Sequence, residues 1–152
     1  MSVTSDGVRA WESMVRLHRS LTGSMDRSLR AGFGRSLDEY DVLHQLSTAA
    51  QPMRMGDLAQ RLLVANSSCH RIVGRLVEGG LVERVRGEED RREVLVALSA
   101  EGGRLHRRMA AHHGRDIETM FGARLRPDEQ AMIEAACGRL IASTGPRAGE
   151  DR

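Results

Sequence analysis

The stretch from Met55 to Ser99 leaves few folds open. "MGDLAQRLL", covering 55–63, and "SSCHRIVGRLVE", covering 67–78, both have helical periodicity. "VAN" between them allows only a tight link, Asn66 is a favourable N-cap for the second helix, and Gly79-Gly80 is a favourable stop. "LVERVR" then alternates as a strand, "GEEDRRE" is a dense run of opposite charges, and "VLVALS" is a second strand.

Two helices joined this closely are a helix-turn-helix. A hairpin whose connection exceeds a two-residue turn must project from the body of the protein. Together they predict a winged helix: a mainly α chain with a small β-hairpin wing, of the α+β class. The flanks are helical. In residues 8–31, Trp11, Met14, Val15, His18, Leu21 and Met25 recur at three- and four-residue steps. Two glycines in "AGFGR" break that helix. "SLDE" opens the next one as a capping box, with Ser36 as cap and Glu39 reaching back. "TAAQPMRM" is a break. Ser99 caps a long helix through Met120, and Pro127 suits the first turn of a last one. The chain is expected to form one domain, 1–152, in which a winged-helix lobe, 36–99, lies between long helices at 8–31 and 100–143.

The faces of helix 67–78 differ in chemistry. Cys69, Ile72, Val73 and Leu76 fall at i, i+3, i+4 and i+7, a single buried stripe. Ser67, Ser68, His70, Arg71, Gly74 and Arg75 lie on the other side, and the first acid, Glu78, comes at the far end. Forked cationic donors and short hydroxyls on one helix suit the major groove of double-stranded DNA, where arginine to guanine is the commonest specific contact. A protein-binding winged helix would present aromatic or aliphatic anchors there instead.

Composition narrows the partners. The net charge is only +2, and every one of the 23 basic residues is arginine, so arginine placement carries more information than arginine abundance. No export signal or membrane-length apolar run is evident, and the two cysteines form no metal pattern, so the protein is expected in the cytoplasm, away from membranes. The charge near His106, His112 and His113 is mostly arginine, so no metal or other cofactor is expected. With no nucleophile–base motif or phosphate loop, the chain does not read as an enzyme.

From roughly Ser36 to Gly102 the chain resembles the MarR family of bacterial winged-helix regulators. The resemblance rests on "LAQRLLVANSSCHRIVGRLVEGGLVERV" and on the Asp-x-Arg pattern in "EDRREVLVALSAEGG". It implies a homodimer built on the outer helices and a transcriptional repressor released from a pseudo-palindromic operator by a small molecule. Asn66, Ser67, Ser68, His70, Arg71 and Arg75 would face DNA from the recognition helix. In the wing, Asp90 and Arg92 match the family pair, the arginine entering the minor groove and the aspartate holding it in register, with Arg91 facing phosphate or solvent. Where the family commonly has threonine before the recognition-helix arginine, this chain has His70. The resemblance further implies a small aromatic or phenolic ligand, for which Trp11, Met14, His18, Tyr40 and His44 are candidate linings. Alternatives are a protein-interaction module, or a metal- or redox-sensing regulator of the same fold.

Overall fold

The structure is a computed structural model that describes residues 5–87, 90 and 92–144. The chain forms two compact units, Met1–Gly114 and Arg115–Arg152. In the first, α1 spans Asp6–Phe33, α2 Leu37–Thr48, β1 Met53–Arg54, α3 Met55–Leu62 and α4 Asn66–Glu78. They are followed by β2 at Val82–Arg86, β3 at Val94–Leu98 and α5 at Ala100–Met120, whose last turns belong to the second unit.

The start of α2 is secured from two sides. Ser36 Oγ accepts the Glu39 N–H at 3.1 Å, and the Ser36 N–H donates to Glu39 Oε2 at 2.9 Å, so both halves of the expected capping box form. The Leu37 N–H, another donor the helix cannot satisfy itself, goes to Asp26 Oδ1 of α1 at 2.8 Å. The hydrogen bond from Arg30, then that from Leu37, holds the Asp26 carboxyl below its ordinary pKa.

Around α2 the core closes on Leu29, Val42, Leu43, Leu58, Val96 and Met109. The stripe Cys69, Ile72, Val73 and Leu76 is buried as its spacing predicts. Two boundaries differ from the sequence reading. α3 ends at Leu62, because Leu63 takes a left-handed conformation, φ 55°, at 91% exposure. The Leu63 and Val64 N–H groups then turn back to Gln60 and Ala59 carbonyls, closing the helix end. α4 is capped by Ala65, without a side-chain bond, so Asn66 is its first helical residue and not its cap.

The sheet has three antiparallel strands, in the order β1-β3-β2, where the sequence showed two. β2 pairs with β3 from Val82↔Leu98 to Arg86↔Val94, and β1 adds Met53↔Val96 and Arg54↔Leu95 on the other edge of β3. A two-residue strand after Pro52 is too short to show an alternation of its own.

Ser99 joins this sheet to α5. Its Oγ donates to the Gly80 carbonyl at 2.7 Å and accepts the Gly102 N–H at 2.9 Å. A Cβ on Gly102 would stand 1.9 Å from the Leu81 carbonyl oxygen, so α5 reaches the strand only because this residue has no side chain. In the second unit, a 3-10 turn at Gly122–Arg124 precedes α6 at Pro127–Thr144. Gln130 Nε2 donates to the Gly122 carbonyl at 2.9 Å. No described residue of α6 is buried. Gly102→Ala is expected to destabilise the fold by about 1–3 kcal/mol, the usual cost of overpacking, read as a lower thermal midpoint.

Candidate nucleic-acid interface

With its stripe in the core, α4 turns Asn66, Ser67, His70, Arg71 and Arg75 to the surface, with Ser68 half-buried. No acid stands in its first turn, and no side chain caps its start. Its leading backbone N–H groups and the positive end of the helix dipole therefore suit an anion such as a DNA phosphate. The two α4 arginines differ. Arg71 makes no ion pair among the described residues, whereas Arg75 Nε lies 3.8 Å from Glu39 Oε1 on α2.

The wing is closed by its backbone. The Gly87 N–H donates to the Glu93 carbonyl and the Glu93 N–H to the Asp90 carbonyl, both at 3.0 Å. Gly87 suits this closure, since a Cβ there would lie 2.8 Å from the Asp90 carbonyl oxygen. The Asp90 carboxylate accepts the Arg92 backbone N–H at 2.9 Å. It thus fixes where the Arg92 side chain leaves the chain while the exposed guanidinium stays available. Arg54 of β1 pairs with Glu93 at the wing base. Arg91, Glu88 and Glu89 lie outside the described residues.

The five candidate ligand-lining residues divide. Tyr40 and His44 of α2 meet His106 and His113 of α5. The Tyr40 ring stacks at 5.8 Å on both His44 and His106 and stands 4.7 Å from His113. His44 Nδ1 and His106 Nε2 are 3.2 Å apart, and Ser47 Oγ lies 3.4 Å from the same His106 nitrogen. Trp11, Met14 and His18 are exposed on α1 instead. The sequence held the missing half of the cluster, because His106 and His113 are two turns apart on one helix face. His112 faces the other way, 2.8 Å from Ser28 Oγ and edge-on to Phe33 of α1.

Burial, then His44 and Arg107, lowers the pKa of His106. Burial also raises that of Tyr40. No group of three or more His, Cys, Asp or Glu among the described residues could hold a metal ion. Cys69 is fully buried and burial pushes its thiol up, which disfavours the reactive thiolate. No helix of the described residues is long and apolar enough to cross a membrane.

Burial first, and then Asp38, pushes the Asp41 carboxyl up to about 6, with His44 opposing. A raised carboxyl pKa favours the protonated form in the fold. Its stabilisation is therefore present below the ordinary value of 3.8 and lost as pH rises through about 6. Asp41→Asn should be more stable than the unmodified protein by about 1 kcal/mol at neutral pH, after allowance for the group's partial exposure. Thermal midpoints measured across pH should show the two converging in acid.

Comparison with known proteins fits this geometry. Residues 32–93 match the model of the MarR family. The transcriptional activatory protein BadR of Rhodopseudomonas palustris is 31% identical over 96 residues, covering 62% of this chain. This chain spans about half the length of BadR, 52%. Among solved structures, AbsC, a MarR family transcriptional regulator from Streptomyces coelicolor, superposes with a TM-score of 0.84 at 26% identity, over 94% of this chain and 97% of AbsC. Sco3205, another MarR family regulator from that organism, solved in complex with DNA, gives a TM-score of 0.88 at 24% identity, over 99% of this chain and 94% of Sco3205. A capped α2, an α3–α4 pair and a wing ordered by Asp90 lie within or at the edge of the matched segment, and residues 32–93 resemble the MarR family.

Proposed function

We propose that the protein is a sequence-specific DNA-binding transcriptional regulator that acts as a homodimer in the cytoplasm, a repressor released from a pseudo-palindromic operator by a small molecule. The observation that carries this reading is α4, whose apolar side is buried while its outer face offers hydroxyls, His70 and Arg71 without an acid before Glu78. Ser67, Ser68, His70 and Arg71 would meet the major groove, and Arg92, placed by Asp90, the adjacent minor groove. That AbsC and BadR are regulators of transcription supports it.

Dimerisation has its own support. Val8, Trp11, Met14 and Leu17 recur along α1 and are all exposed, Trp11 at 61%. Met132, Ile133, Leu140 and Ile141 do the same on α6. Apolar stripes left open on two helices are the mark of a surface that another subunit covers. On this reading Trp11 and Met14 serve the second copy, and the ligand meets α2 and α5. There, stacked rings and paired imidazole nitrogens suit a flat aromatic or phenolic molecule.

Two measurements test the reading. Arg71→Ala and Arg92→Ala should each weaken operator binding by roughly ten-fold or more. Unchanged affinity in both variants would remove the basis for the interface. Trp11→Glu should raise the dimer dissociation constant by at least about ten-fold in sedimentation, as expected for a central aromatic anchor. An unchanged dimer would place the interface elsewhere.

A further inference from the structure

Glu39 is nearly buried, its side chain 9% exposed, and both of its oxygens are engaged. Oε2 accepts the Ser36 N–H, which fixes the start of α2. Oε1 faces two guanidinium groups, Arg35 Nη1 at 3.5 Å and Arg75 Nε at 3.8 Å. The Arg35 guanidinium also lies against the end of α4, with Nη2 3.2 Å from where a Cβ of Gly79 would stand. A cation there complements the negative end of the α4 dipole. One carboxylate, itself nearly buried, therefore joins the capped start of α2 to the second half of α4, where the Arg75 side chain is 46% exposed.

Resting on the DNA-binding reading above, we propose that Arg75 is a positioning residue and not a DNA contact: held by Glu39, it sets the orientation in which α4 presents Ser67, Ser68, His70 and Arg71 to the groove. Arg75 lies one helical turn beyond Arg71, so a small rotation of α4 about the Glu39 anchor would displace the reading face. Glu39 and Arg75 thus govern specificity without touching a base. Arg71 carries the charge that meets DNA.

Salt dependence separates the two roles, because a phosphate contact releases a counterion and a positioning residue does not. The probe is a duplex that the unmodified protein enriches from a random-sequence pool. Its affinity is measured from about 50 to 200 mM salt, with an unrelated duplex alongside. The variants are Arg75→Gln, Glu39→Gln, the double variant and Arg71→Ala. Glutamine at 39 can keep the capping box.

Arg71→Ala is expected to weaken binding to the enriched duplex by roughly ten-fold and to relax the preference for the base it reads. Arg75→Gln and Glu39→Gln should each weaken binding to the enriched duplex by roughly ten-fold with the slope unchanged, leave the unrelated duplex unaffected, and combine without further loss. A slope reduced by about one in Arg75→Gln, or full affinity in both single variants, overturns the proposal. The Arg75→Gln slope decides it even if Glu39→Gln fails to fold. If the unmodified protein enriches no duplex at all, the DNA-binding reading falls, and this proposal with it.

Discussion

The burial of Cys69, Ile72, Val73 and Leu76 is the constraint on which the rest depends. Ile72, Val73 and Leu76 are each worth about 1.5–3 kcal/mol when removed from water, far more than any exposed ion pair on the same helix. With Cys69 in the same stripe, they fix the rotation of α4 about its own axis. Ser67, His70 and Arg71 then have only the solvent side to occupy. The chemistry of that outer face is a consequence of core packing, and α4 needs no bound partner to hold it in place.

The wing obeys a different rule. Its strands are held by the register of β2 against β3, while Asp90 and Arg92 beyond them are exposed. Order at the tip comes from a short set of local hydrogen bonds around Gly87, Asp90 and Glu93, and from the Arg54–Glu93 ion pair at the base. Asp90 binds the backbone of Arg92 and leaves the guanidinium unpaired by that bond. An aspartate that instead neutralised the arginine would remove the charge that the proposed minor-groove contact requires.

Much of this was legible in the sequence, and the parts that were not share a physical cause. The stripe of α4, the capping box at Ser36, the cap at Ser99 and the hairpin are local patterns, set by spacing within a few residues. The strand Met53–Arg54 exists only because β3 has a free edge to pair with, so its cause lies some forty residues away. The role of Asn66 slipped by one position, because Ala65 takes the extended backbone that a cap requires without offering a side chain. The spacing from Ser36 makes Glu39 half of a capping box, and in the structure it is one. Its second oxygen, turned toward Arg75, depends on how α2 crosses α4, and no periodicity reports a crossing. In the same way Tyr40 and His44 were visible as a pair on α2, while their meeting with His106 and His113 waited on the packing of α5.

On the proposed DNA-binding reading, a net charge of +2 gives little bulk attraction to DNA, and selectivity rests on how individual arginines are held. The structure gives carboxylates that task repeatedly: Glu39 faces Arg75, Glu93 pairs with Arg54, and Asp90 fixes the backbone of Arg92. Each acid removes some attraction for phosphate and in return limits where an arginine can go. Long side chains lose up to about 2 kcal/mol of rotamer entropy when they are fixed, and ordering them before DNA arrives moves that cost from the binding step to folding. Consecutive residues of α2 then carry two different connections, Glu39 to α4 and Tyr40 to the histidines of α5. A rotation of α2 cannot alter one without straining the other, because Ser36 and Asp26 hold the start of that helix at its backbone.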